Sequence, residues 1–167
     1  MTASTITSTD QEFVRRAINN AVENVAGGNR PFAAILVGAD GKIIAEDTDR
    51  TALSGDPLSH GEVNVLRTGL QKVGFEAVAA STLYVNGEPC AMCAGTILRS
   101  GVRRIIFGLQ GSHVGPYLAG EPKLGERYAS AAIFAVAGEN ISVTPGVLED
   151  EAHRPFKAYV ARTAGPR

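Results

Sequence analysis

Pro89-Cys90-Ala91-Met92-Cys93, read together with His60-Gly61-Glu62 about thirty residues upstream, sets one imidazole and two thiols at metal-ligand spacing. An imidazole with two thiolates is a three-ligand zinc set whose fourth tetrahedral position is left to water, which is how a catalytic zinc site differs from a closed structural one. Cys90 and Cys93 stand three apart, so a helix opened by Pro89 carries both near its first turn and on one side. There the unpaired backbone N–H groups and the positive end of the helix dipole favour thiolate over thiol. The same reading puts His60 and Glu62 at the start of a second helix. Two helix N-termini then converge on one cation, with Glu62 beside the metal-bound water as a proton carrier rather than a fifth ligand.

Outward from these motifs the chain alternates helix and strand. Thr9-Asp10-Gln11-Glu12 has the form of a capping box, and Phe13, Val14, Ala17, Ile18, Ala21, Val22 and Val25 then mark one core-packing helical face, stopped by Gly27-Gly28. Ala33 to Val37 and Lys42 to Glu46 read as strands joined around Asp40-Gly41, a hairpin signal. A polar loop from Asp47 to Ser59 leads to the metal helix, His60 to about Lys72, with Gly74 just past its end. Thr82 to Val85 reads as a buried strand, Cys90 to Arg99 as the second metal helix with Gly101 beyond it, and Val102 to Phe107 as another strand. Gly108 to Gly125, rich in glycine and proline and carrying His113, Tyr117 and Glu121, is either an active-site flap or a long connection. Leu124 to Val136 is helical in period, Ile141 to Val143 forms a short strand, and Phe156 to Arg162 a terminal helix. The pattern predicts an α/β domain of three layers, α-β-α, around a mixed sheet of about five strands, spanning residues 1–167 as one unit.

Composition narrows the function. The 167 residues carry 16 basic and 17 acidic side chains, a formal charge of −1, so nothing suggests the basic excess with which a nucleic-acid partner is usually gripped. The chain opens without a charged-then-apolar leader and has no apolar run of membrane-spanning length, so neither export nor insertion is expected, and two ligand-like cysteines suit a reducing cytoplasm. With only two cysteines, a four-cysteine structural zinc site is excluded within one subunit. A thioredoxin-like redox pair needs no His-x-Glu run, and a zinc site that serves folding alone has no use for an unligated Glu62. His113 and His153 are read as ordinary surface or core residues.

The order His-x-Glu then Pro-Cys-x-x-Cys resembles the zinc-dependent cytidine deaminase-like superfamily, whose members include cytosine, guanine and transfer-RNA adenosine deaminases. The likeness extends to Arg30-Pro31-Phe32-Ala33-Ala34-Ile35-Leu36-Val37, Asp56-Pro57-Leu58-Ser59 before the histidine, Thr82-Leu83-Tyr84-Val85 and Arg103-Arg104-Ile105-Ile106-Phe107-Gly108, so it covers about Thr9 to Gly108. It implies the zinc set His60, Cys90 and Cys93, and Glu62 as the shuttle that takes a proton from the zinc-bound nucleophile, passes one to the ring nitrogen and protonates the departing amine. It implies that Phe32 packs on the base, unless it serves only as a core aromatic. It also implies that the backbone around Asn86 to Glu88 accepts a hydrogen bond from the leaving amine, and that two subunits form a homodimer.

Two departures bear on the substrate. Most members of the family carry Ala between the His and the Glu; Gly61 merely removes that side chain and is expected to be neutral. Asp49 stands eleven residues before His60, where an Asn usually meets the base, and a carboxylate only accepts hydrogen bonds where an amide also donates. Asp49 is therefore either a selector for rings that present N–H groups or a loop-capping residue. An Asp-Pro before the metal histidine and Pro155-Phe156 near the terminal helix resemble bacterial guanine deaminases, in which the C-terminal segment closes the site; Tyr159 is the tyrosine nearest this chain's end. The expected substrate is a small heterocyclic amine, guanine-like, cytosine-like or an aminotriazine, with a transfer-RNA adenosine deaminase as the alternative.

Overall fold

The computed structural model describes residues 5–118, 130–136 and 141–164. Five strands, β1 (Ala33–Val37), β2 (Ile43–Thr48), β3 (Thr82–Gly87), β4 (Arg104–Leu109) and β5 (Ser142–Thr144), form one sheet in the order β2-β1-β3-β4-β5. β1 pairs antiparallel with both β2 and β3, while β3-β4 and β4-β5 are parallel, so the sheet is mixed as expected. Helices α1 (Ser8–Ala26) and α7 (Glu149–Thr163) cover one face; α3 (Gly61–Ala79), α4 (Ala91–Ser100) and α6 (Ser130–Val136) cover the other. Between them lie the short α2 (Thr51–Ser54) and α5 (Gly111–Val114), and a 3-10 turn over Gly115–Leu118.

The central strands are apolar at consecutive positions because both faces are buried. Leu36, Leu83, Val85, Ile105 and Phe107 join Val65, Leu66, Ala94 and Ile97 under α3 and α4. Their neighbours Ile35, Tyr84 and Ile106 join Val14, Ile18 and Phe156 under α1 and α7. No helix among the described residues is long and apolar enough to cross a membrane.

Several boundaries differ from the sequence reading: β2 and β3 each run two residues past the expected end, to Thr48 and Gly87, and β5 lies one residue later. The capping box of α1 is Thr7 with Asp10, not Thr9 with Glu12: Thr7 Oγ1 accepts from Asp10 N at 3.1 Å, and Asp10 Oδ2 accepts from Thr7 N at 2.9 Å. Asp10 is fixed there because it is also the buried partner of Arg104. The metal helix ends just before Gly74 as expected, where φ of +78° breaks it, but a further helical stretch, Phe75–Ala79, follows that the sequence reading did not expect. β4 begins at Arg104 and runs to Leu109, two residues beyond the expected end. The terminal helix starts at Glu149 rather than Phe156, because Glu149, Asp150 and Glu151 place three carboxylates in its first turn, where the dipole favours them, and Pro155 is carried inside. Of the helix expected over Leu124 to Val136, the part before Ser130 lies outside the described residues, as does Glu121.

Candidate active site

The loop between β2 and α3 is built by its own polar side chains. Asp49 Oδ1 accepts from Thr51 N at 3.0 Å and from Thr51 Oγ1 at 2.7 Å, which starts α2. Asp56 Oδ1 accepts from Leu58 N, and Asn64 Nδ2 donates to Thr48 O, so the returning chain is pinned to the end of β2. His60 arrives as the N-cap of α3 and Cys90 as the N-cap of α4. Two helix N-termini meet at one point.

At that point His60 Nδ1 lies 3.4 Å from Cys93 Sγ and 3.7 Å from Cys90 Sγ, and the two sulfurs are 3.6 Å apart. A tetrahedral zinc with Zn–S of about 2.3 Å and Zn–N of about 2.0–2.1 Å has ligand–ligand edges of roughly 3.5–3.8 Å, so these three atoms fit zinc. The donor chemistry agrees. Cys90 is lowered to about 4 by its hydrogen bond with Cys93 and by His60, against the effect of burial, whereas Cys93 is pushed far above the ordinary thiol range by Cys90 and by burial. Burial disfavours charge on His60, but the Cys90 thiolate and the carboxylates of Glu62 and Asp49 raise it on balance. Two thiolates this close repel, and a dication between them relieves the conflict.

Glu62, in the first turn of α3, is 4 % exposed. It is outside the set of three ligand atoms that lie within 4.8 Å of one another. Burial, reinforced by the nearby thiolate of Cys90, raises its carboxyl to about 7 despite the opposing pull of His60. A buried carboxyl beside a metal set, outside its coordination, can exchange protons with what the metal holds.

Gly61 sits against strand backbone rather than in open space. A Cβ there would meet Ala34 N and Asp47 O, each at 3.2 Å, so the start of α3 seats against the backbones of β1 and β2 more closely than an alanine comfortably allows. The absent side chain lets the helix end approach the sheet.

The remaining expected residues flank this centre. Phe32 is half-buried, with its ring edge-on to Phe156 at a centroid distance of 5.3 Å and 81° between planes. Asp49 is fully buried; its N–H donates to Phe32 O at 2.9 Å, while Arg50 N–H reaches Ser59 O, next to the metal histidine. Asp49 does cap its loop through Oδ1, yet Oδ2 is buried with no hydrogen-bond partner among the described residues. Asn86 spends its side chain on the backbone, accepting from Ala33 N at 2.8 Å and donating to Pro31 O at 2.9 Å. Glu88 spends its own on Gly111 N at 2.8 Å and on Ser130 Oγ at 2.8 Å, tying the starts of α5 and α6 beside Cys90. Any substrate contact of Asn86 or Glu88 thus falls to their backbone, as the resemblance implies.

His113 and His153, read from sequence as ordinary surface or core residues, serve as structural contacts. Their rings stack with centroids 6.2 Å apart; His113 pairs with Glu149 at 2.6 Å, and His153 shares a hydrogen bond with Tyr117 at 2.8 Å. Tyr117 in turn packs on Phe156, so the start of the expected flap is fastened to α7, and α7 packs on its own α1 and β4. The signal available in sequence was only the excess of aromatic and histidine residues in both segments. About one zinc per chain is expected by elemental analysis, and Cys90→Ala should lose most of it; a full metal load on that variant would show a different ligand set.

Comparison with known proteins agrees with this geometry. Residues 7–109 match the family model of the cytidine and deoxycytidylate deaminase zinc-binding region. The chain is 31 % identical to a tRNA-specific adenosine deaminase of Haemophilus influenzae, over 90 % of this chain and 82 % of that one. It is 30 % identical to a probable cytosine deaminase of Schizosaccharomyces pombe, over 95 % and 97 %. The solved guanine deaminase of Nitrosomonas europaea has the same fold, with a TM-score of 0.78 at 22 % identity, over 96 % and 87 %. The three-layer mixed sheet, the placement of His60, Cys90 and Cys93 for metal binding, and the match across the metal motifs together make this chain a member of the zinc-dependent cytidine and deoxycytidylate deaminase family.

Proposed function

We propose that this protein hydrolytically deaminates a free, amino-bearing nucleobase or a related heterocycle, guanine-like ahead of cytosine-like or aminotriazine. The observation that carries the chemistry is Glu62, buried beside the ligand set and outside it. His60, Cys90 and Cys93 would hold zinc, which would supply Lewis-acid activation of the attacking water. Glu62 accepts a proton as water adds to the amine-bearing carbon and delivers it to the ring nitrogen, then takes the remaining proton of the added hydroxyl as the carbonyl forms and gives it to the departing amine, which leaves as ammonia, so one carboxyl serves as base and acid in turn. Phe32 offers its ring to the base, and the backbone of Asn86 to Glu88 accepts from the leaving amine.

Small substrates are supported by the charge of −1 and by likeness to the cytosine deaminase over nearly the whole of both chains. Guanine is supported by Asp49: its Oδ2, fully buried and without a hydrogen-bond partner among the described residues, would accept from a ring N–H that reached it as the site opens to substrate, and guanine has one, N1–H, next to the amine-bearing carbon. The ring nitrogen in the same place on cytosine only accepts. A second reading, a transfer-RNA adenosine deaminase, rests on likeness to the Haemophilus influenzae enzyme. Ammonia release measured across guanine, cytosine, isocytosine, adenine, aminotriazines and transfer RNA separates them; turnover of transfer RNA alone would overturn the free-base reading.

Asp49→Asn gives a sharper result. It should shift relative kcat/KM from guanine towards cytosine by about 5- to 150-fold, the equivalent of roughly 1–3 kcal/mol for an unsatisfied buried group. Zinc content should stay constant. If all bases rise or fall together, Asp49 only caps its loop.

A further inference from the structure

Asn24 lies on α1, across the sheet from the metal helices, yet every hydrogen-bonding group of its amide is used on the loops that follow α1 and β2. Nδ2 donates one hydrogen to Arg30 O at 2.8 Å and the other to Asp49 O at 2.8 Å, and Oδ1 accepts from Asn29 Nδ2 at 3.0 Å. Only the NH2 end can face two carbonyls, so the orientation of the amide is fixed by its partners.

Those two carbonyls belong to two different walls. Arg30 begins the segment that presents Phe32, which Asn86 grips independently at Pro31 O and Ala33 N. Asp49 ends β2's extension and carries the unpartnered Oδ2. The Asp49 N–H to Phe32 O bond joins the walls directly, and the Asn24 amide bridges them on the side of α1. Downstream, Arg50 N–H to Ser59 O ties the same stretch to the residue before His60. The backbone on which the Asp49 carboxylate stands is thus held on one side by the metal loop and on the other by Asn24.

We infer that Asn24 is a positioning residue that sets where the Asp49 carboxylate and the Phe32 ring stand relative to the metal, and through them which ring is bound. The inference rests on the proposed role of Asp49. Removing the Nδ2 donor frees both carbonyls at once while leaving His60, Cys90, Cys93 and Glu62 on other elements. A placement error of this kind weakens ground-state recognition more than the proton transfers, which fixes how it should appear in kinetics.

The test compares Asn24→Ala, Asn24→Ser, Asp49→Asn and the double variant Asn24→Ala with Asp49→Asn. Zinc per chain, melting temperature, and kcat and KM for guanine and cytosine are read for each. In Asn24→Ala, KM for guanine should rise about tenfold or more while kcat stays within about threefold, KM for cytosine should change far less, and zinc should remain full. Asn24→Ser, which keeps one donor, should fall between wild type and Ala, and it remains informative if the Ala protein is too unstable to assay. In the Asp49→Asn background the Asn24 change should alter the guanine-to-cytosine ratio by less than about twofold, because the group it positions is gone. Equal losses on both bases, or full additivity in the double variant, would reduce Asn24 to a helix-end tether. A guanine-to-cytosine ratio unmoved by Asp49→Asn itself removes the proposed role of Asp49 and this inference with it; a ratio moved by Asp49→Asn but not by Asn24→Ala removes only the inference.

Discussion

Glu62→Gln is expected to keep zinc at about one per chain and the fold intact, while kcat falls by about 10²- to 10⁴-fold, the usual contribution of a positioned acid–base group. The substitution is nearly isosteric, so at 4 % exposure it leaves no cavity and no uncompensated charge. Glu62 is outside the ligand set, so zinc should stay when its charge goes. What is lost is the ability to take a proton and return it. Because the same carboxyl serves the addition of water and the departure of ammonia, both halves of the reaction should slow, and no accumulation of an intermediate is expected. Activity within tenfold of wild type would place the proton shuttle on another residue; loss of zinc in step with activity would mean that Glu62 holds the site together rather than working in it.

The metal centre was legible because its information is local. A Cys-x-x-Cys pair after a proline and a His-x-Glu after a polar loop each fix two side chains at a helix start, and their meeting needs only that the two helices lie on one face of the sheet. The strands were legible for a similar reason: Ala33 to Val37 is buried at every position, and so is an uninterrupted apolar run. What sequence did not show is carried by contacts between distant residues. Asn86 holds Ala33 across 53 positions, Glu88 holds Ser130 across 42, and Asn24 holds Asp49 across 25, each through a polar side chain that in isolation reads as a surface residue. Gly61 looked like the loss of a methyl group until the two strand backbones beside it were in place. For Asp49 the two readings were not exclusive, since one carboxylate oxygen caps the loop and the other is left over.

Capping of α1 was displaced for a reason that gives the second large effect. Asp10, 3 % exposed, closes the capping box with Thr7 and also accepts from Tyr84 Oη at 2.7 Å and from both terminal nitrogens of Arg104 at 2.9 and 3.0 Å. Burial alone would raise its carboxyl, but the guanidinium, with Thr7 and Tyr84, holds it well below the usual carboxylate range. The unfolded carboxyl titrates near 3.9. A carboxyl depressed in the folded state adds stability that is fully present above that value and is lost as pH falls from about 4 through the folded one. Arg104→Met removes the partner and leaves a buried charge, which should cost about 3–5 kcal/mol near pH 7, or roughly 6–20 °C in melting temperature for a chain of this size. The loss should shrink towards pH 4, because without the guanidinium Asp10 takes up a proton more readily. The double variant Arg104→Met with Asp10→Asn should recover part of it, since no charge is then buried. Urea unfolding of all forms at matched zinc, at pH 7 and at pH 4, measures each step. A cost for Arg104→Met below about 1 kcal/mol, or one that does not depend on pH, would show that the pair is solvated and that α1 is held to the sheet by apolar packing alone.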